Sequence, residues 1–134
     1  MNISSFLLPK EQVAFIASSI SMLEAAEHLE HHHYTAIPII DHKGKYVGTL
    51  SEGDLLWKIK HTPGLTFENM QGVLLSEVQL RFHHECVSIN AHMEDMLTLA
   101  ADQNFVPVTD DDGIFIGIIR RKDIIEYYTR NIMD

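Results

Sequence analysis

YTAIPIIDHKGKYVGTLSEGDLL (34–56) and NFVPVTDDDGIFIGIIRRKDII (104–125) are one pattern written twice. Pro38 and Pro107 lie 69 residues apart, and so do Asp41 and Asp110, Gly44 and Gly113, Gly48 and Gly117, and Asp54 and Asp123. All five matches fall at turn or polar positions, where coincidence is hard to arrange at a single offset. The segments before the two blocks, SMLEAAEHLEHH (21–32) and AHMEDMLTLAAD (91–102), repeat more loosely, with about a one-residue slip. A repeat of this kind is read as one supersecondary unit that cannot bury its apolar face alone.

Each unit is legible from its local chemistry. Met22, Leu23, Ala26 and Leu29 recur at helical spacing with Glu24, Glu27 and Glu30 between them, and Ser21 stands where an N-cap is wanted. AIPII, apolar at almost every position, predicts a short buried strand. In DHKG, Asp41 can bond the backbone ahead of it and Gly44 can take a positive φ, so KYVGTL returns as the second strand of a hairpin. Ser51 then caps a helix over 51–60 that carries Leu55, Leu56 and Ile59. The second copy predicts a helix over 92–102, strands over 105–109 and 114–119, and a helix over 120–132 that buries Ile124, Ile125 and Tyr128. Short strands are expected near Val13–Ile16 and Val87–Ile89. The organisation read from this is repeat 1 over 8–62, a packed linker over 63–78 opened by Pro63 and Gly64, and repeat 2 over 79–134. The fold class is α+β, about three strands and two helices per repeat, with the two repeats expected to pack sheet to sheet.

Composition narrows the function. The chain has 134 residues, 46% of them hydrophobic, and its 10 Lys and Arg face 19 Asp and Glu for a net charge of −9. So acidic a surface does not displace counterions from nucleic acid or settle on an anionic membrane. No apolar run approaches the roughly 18 residues a membrane span needs, and MNISSFLLPKEQ (1–12) does not read as a signal peptide. Cys86 is the only cysteine, which excludes an internal disulfide, fits a reducing cytoplasm and reads as a buried or half-buried packing residue.

A helix, then YTAIPIID, then GKYVGTLSEGDLL, with a second copy ending in IIRRKDII, resembles the signature of the CBS domain. The resemblance covers nearly the whole chain and implies two CBS repeats folded as one Bateman module, similar to small bacterial stand-alone pairs. Some of those bind cyclic di-AMP, and others in the family bind AMP or ATP. It further implies a regulatory rather than catalytic protein, a disc-like homodimer, a regulated partner protein and an adenine-nucleotide ligand.

The candidate ligand residues follow. Ser51 and Asp54 stand where the family places its Ser/Thr-x-x-Asp, at a helix start whose free N–H groups favour phosphate. The resemblance makes Asp54 a ribose acceptor, while the local alternative is a plain capping box. In repeat 2 Arg120 replaces the expected hydroxyl, and Arg120, Arg121 and Lys122 precede Asp123, either as a phosphate-binding cluster or as a solvated basic patch. Tyr34, Thr35 and Ala36 ahead of Pro38, and Phe105 and Val106 ahead of Pro107, stand in stretches where the residue before the proline is held extended, and they either face an adenine edge, as the resemblance implies, or serve as core strand. His28, His31 and His32 share a helix face, and His83 and His84 lie near Cys86, but neither group has a zinc-finger spacing, and no metal site is expected. No nucleophile has an evident base, and no Walker loop or GxGxxG occurs, so no enzyme is expected. The competing reading is a ligand-free dimerisation scaffold whose pockets have decayed. Apolar residues around Leu55, Leu56, Trp57, Tyr127 and Tyr128 are the expected dimer surface.

Overall fold

A computed structural model describes residues 1–81 and 83–133, the last three by their backbone alone. The chain divides into two compact units, one of Ala14–His83 and one of Met1–Val13 together with the chain from His84 onward.

In the first unit, β2 (Ile16–Ala17) runs parallel to β3 (Ala36–Ile40), which pairs antiparallel with β4 (Tyr46–Ser51). The helices are α1 (Met22–His32) and α2 (Glu52–His61). Ser21 caps α1 by accepting from the Glu24 N–H at 3.1 Å, and His33 ends it in the left-handed region at φ 56°. The face of α1 that is fully buried is Met22, Ala25 and Leu29, an i, i+3, i+7 stripe, with Leu23 and Ala26 half-buried at its edge. That stripe meets Ile16, Ile37, Leu50 and Leu55, and the core is closed by Met70, Leu75 and Val78 from the segment after α2. Leu56 does not join it: it is 57% exposed, because Leu55 and Ile59 already occupy the inward face of α2.

The second unit holds a four-stranded sheet in the order β1-β7-β6-β5, built from β1 (Leu8–Pro9), β5 (Val87–Ser88), β6 (Phe105–Thr109) and β7 (Phe115–Arg120). Its helices are α3 (Leu97–Asp102) and α4 (Arg121–Met133). Ile3, Met93, Met96, Ala100, Val106, Val108, Ile119 and Ile124 form the core. The helix predicted over 92–102 is broken into a 3-10 turn, Met93–Asp95, and the shorter α3. The Tyr128 hydroxyl lies 3.2 and 2.7 Å from the carbonyls of Met93 and Glu94, and the Met93 carbonyl also accepts the 3-10 bond from the Met96 N–H. Ile125 lies outside the core at 52% exposure, and Cys86, expected to pack, is exposed on the approach to β5.

The two hairpins repeat each other bond for bond. Asp41 Oδ1 accepts from the N–H groups of Lys43 and Lys45, and Asp110 Oδ1 from those of Asp112 and Ile114, all at 2.9–3.0 Å. Gly44 and Gly113 close the turns at φ 85° and 82°. Both hairpins shift register at the same step, between Ile39 and Ile40 and between Val108 and Thr109. The residues from 1 to 13 pack with the second unit, where Leu8 and Pro9 pair antiparallel with Ile118 and Gly117. Among the described residues no helix is long and apolar enough to cross a membrane.

Candidate functional site

Hairpin register brings together the residues singled out in repeat 1. Ala36 pairs with Ser51 across the β3–β4 ladder, and the Glu52 N–H donates to the Thr35 carbonyl at 3.0 Å. Tyr34 and Thr35 therefore lie beside the first turn of α2. Tyr34 is 42% exposed, its ring stacked at 5.3 Å on His32 at the end of α1, whereas Pro38 is buried in the strand. Tyr34 and Thr35 line a cavity of about 830 Å³, together with Leu55, Leu56 and Phe67, and Glu27, Glu30 and Glu52 also line it. That volume lies within the roughly 300–1,000 Å³ range of small-molecule pockets.

Ser51 and Asp54 form a complete capping box. Ser51 Oγ accepts from the Asp54 N–H at 3.3 Å, and Asp54 Oδ2 accepts from the Ser51 N–H at 2.8 Å. Asp54 does more than cap. Its Oδ1 accepts from the Arg81 N–H at 2.9 Å, and the residue is 1% exposed. Both carboxylate oxygens are thus engaged by backbone amides, and the side chain clamps the start of α2 to the chain at residue 81. It forms part of the wall of a second, smaller cavity that also includes Trp57 and Arg81.

The repeat 2 counterpart is built on the same register with different side chains. Phe105 pairs with Arg120, and the Arg121 N–H donates to the Asn104 carbonyl at 3.0 Å, matching the Glu52–Thr35 bond of repeat 1. Phe105, Val106 and Pro107 are all buried. The Arg120 guanidinium grips Asp123 through two bonds of 2.9 and 3.3 Å, so the cation that replaces the hydroxyl closes onto the carboxylate three residues on. Arg121 Nε donates to the carbonyls of Ala100 and Gln103, where a cation suits the negative end of α3. Lys122 is exposed and has no such tie among the described residues.

Two features were not visible in the sequence motifs. His84 rests against Phe105 with ring centroids 4.9 Å apart, and its Nε2–H donates to Asn104 Oδ1 at 3.3 Å. That assignment leaves Nδ1 as a buried acceptor with no partner among the described residues. Burial, with the charge of Arg121, holds the imidazole below the usual histidine value against the raising effect of the Asn104 bond. The Gln103 side chain, also buried, accepts from the Glu85 N–H and donates to the carbonyls of Glu85 and Phe105. It stitches the approach to β5 onto β6. Among the described residues no group of three or more His, Cys, Asp or Glu side chains is arranged to hold a metal ion.

Two units, each a β-hairpin sheet with two helices, define a mixed helix-and-sheet fold class built on a repeat. The CBS domain family model matches residues 3–61 and 80–130, and the chain belongs to that family. It is 23% identical over 134 residues to cyclic di-AMP receptor B of Bacillus subtilis, covering 97% of this chain and 88% of that protein. It is 24% identical to the chloroplastic CBS domain-containing protein CBSX2 of Arabidopsis thaliana, spanning 92% of this chain but only 61% of the relative's length. Among solved structures, CbpB in complex with c-di-AMP superposes with a TM-score of 0.84 at 25% identity, covering 100% of this chain and 88% of that one. CBSX2 in complex with AMP gives 0.74 at 24% identity, covering 96% of each chain.

Proposed function

We infer that the protein is a non-catalytic cytoplasmic regulatory module that binds an adenine nucleotide (AMP, ATP or cyclic di-AMP) and alters the behaviour of a partner protein when loaded. The observation that carries this reading is the Thr35–Glu52 bond, which fixes Tyr34 and Thr35 against the first turn of α2 in the wall of a cavity of ligand size. Family membership and relatives that bind c-di-AMP or AMP support it. In this reading the extended backbone before Pro38 meets the base edge, Tyr34 stacks on the ring, and Ser51 presents its hydroxyl at the helix start. Asp54 holds the turn in place, and each of its carboxylate oxygens keeps a second lone pair with which to accept from a ribose hydroxyl. In repeat 2, Phe105, Val106 and Pro107 supply the equivalent strand, with Arg120, Arg121, Lys122 and Asp123 at the helix start.

Each unit also carries exposed apolar side chains on its helices, Leu56 in the first and Leu97 and Ile125 in the second. They support a homodimer through helix faces, and a sedimentation mass of one chain at micromolar concentration would speak against it. The closed Arg120–Asp123 pair favours a second reading for repeat 2 alone, as an interaction surface without ligand. Thermal-shift screening tests the main reading. AMP, ATP or cyclic di-AMP at about 100 times its Kd adds about 2.7 kcal/mol to native stability and raises the melting temperature by several degrees. No shift with any of the three would remove the nucleotide reading.

A further inference from the structure

The larger cavity of the first unit suits a base but repels a phosphate, because Glu27, Glu30 and Glu52 all line it. A separate cavity of about 240 Å³ runs along α2, and its lining sets the cations Lys58 and Arg81 beside the carboxylates Asp54 and Glu77. Its lining includes Lys58, His61 and Arg81, with Trp57 between them. The Arg81 guanidinium carbon lies 5.6 Å from the Trp57 ring centroid, Lys60 Nζ lies 5.1 Å from it, and the His61 ring stacks on it at 6.3 Å. Two of the chain's 10 Lys and Arg, Lys60 and Arg81, thus lie over one tryptophan, and a third, Lys58, lines the same cavity as Trp57 and Arg81.

The two carboxylates of the lining are oriented by backbone amides and not by these cations. Asp54 spends both oxygens on the backbone amides of Ser51 and Arg81, and Glu77 Oε2 accepts from the Leu74 N–H at 2.7 Å. Among the described residues neither Lys58 nor Arg81 has an ion-pair partner. An arginine whose face is covered by an indole still has its N–H edge free for bidentate contact with a phosphate. The Asp54–Arg81 bond fixes the backbone from which that side chain projects. At about 240 Å³ the cavity is smaller than the roughly 300–1,000 Å³ of sites that enclose a drug-sized molecule, so it fits one anionic group and not a whole nucleotide.

We propose that this cavity is a phosphate subsite, with Arg81 and Lys58 as the gripping cations and Trp57 as the platform that orients Arg81. The proposal deepens the nucleotide reading and rests on it for the source of the phosphate, the alternative source being free inorganic phosphate or pyrophosphate. Trp57 is the only tryptophan in the chain, so its fluorescence reports on this cavity directly.

The test is a fluorescence titration of wild type and the Lys58→Gln/Arg81→Gln double variant with AMP, cyclic di-AMP, adenosine and pyrophosphate. Both substitutions leave the backbone amide of residue 81 on Asp54, and a melting curve checks that the variant folds. If melting shows it does not, Arg81→Gln alone takes its place. The expected result is saturable quenching or enhancement by a phosphate-bearing probe, weakened about tenfold or more in the variant, with any adenosine response unchanged. Nucleotide binding that the variant retains in full overturns the subsite and leaves the nucleotide reading standing. Pyrophosphate binding lost in the variant, with no nucleotide binding to either protein, upholds the subsite and removes the nucleotide as its source. No response to any phosphate-bearing probe overturns the subsite outright.

Discussion

Replacing Asp54 with alanine removes the one side chain that ties the start of α2 to both its own cap and the chain at residue 81. The carboxylate accepts from the Ser51 N–H at 2.8 Å and the Arg81 N–H at 2.9 Å at a position 1% exposed. Hydrogen bonds to a charged group contribute about 1.5–3 kcal/mol each. Some of that returns when water enters the space left behind, so the net cost is placed at about 3–4 kcal/mol. Ser51→Ala removes only the weaker half of the box, the 3.3 Å bond from the Asp54 N–H, and costs about 1 kcal/mol. Asp54→Asn falls between, because an amide keeps one acceptor but turns an NH₂ toward the other N–H. Urea unfolding followed by Trp57 fluorescence reads the unit concerned, since Trp57 lies three residues further along the same helix. The order expected is wild type, Ser51→Ala, Asp54→Asn, Asp54→Ala, from most to least stable. An Asp54→Ala protein within about 1 kcal/mol of wild type would refute the clamp and return Asp54 to the role of a free ligand acceptor.

Two further outcomes are expected. Gly117→Ala should disrupt the second unit by about 3 kcal/mol or more, because a Cβ there overlaps the Leu8 carbonyl across β1 and φ is 156°. Gly48→Ala should cost much less, meeting only the end of the Leu80 side chain, and equal melting temperatures for the two variants would contradict this. Because burial lowers the folded-state value of His84, the unfolded chain binds the proton more readily, so this residue's contribution to stability is lost as pH falls below about 6.5. Melting between about pH 7.5 and pH 5.5 should therefore show a steeper loss in wild type than in His84→Gln, and identical slopes would dismiss the effect.

What was legible in the sequence was what depends on near neighbours. The Asp41 and Asp110 turns, the positive φ of Gly44 and Gly113, and the Ser21 and Ser51 caps each need only a few consecutive residues. The repeat then carried that local knowledge to the whole fold. Features set by distant partners were not legible. Nothing in LLPK announces that Leu8 and Pro9 pair with β7, more than a hundred residues on. Cys86 and Ile125 were misplaced because apolar character alone does not say which side of a short strand or helix faces the core. At the site, the motif placed Ser51 and Asp54 correctly at the head of α2, but it could not show that Arg81 occupies the second carboxylate oxygen. Nor did RRK reveal that Arg120 turns onto Asp123 and Arg121 onto the end of α3. The cations gathered around Trp57 come from two stretches some twenty residues apart, which no local pattern joins.

Isothermal titration of the purified protein with AMP, ATP and cyclic di-AMP, each beside its guanine counterpart, tests the central claim most directly. The account predicts saturable binding of at least one adenine nucleotide with a Kd of about 10 μM or tighter, near −7 kcal/mol, and much weaker binding of the matching guanine compound. Absence of measurable heat with all three adenine nucleotides at millimolar concentration, or equal affinity for the guanine forms, would contradict it.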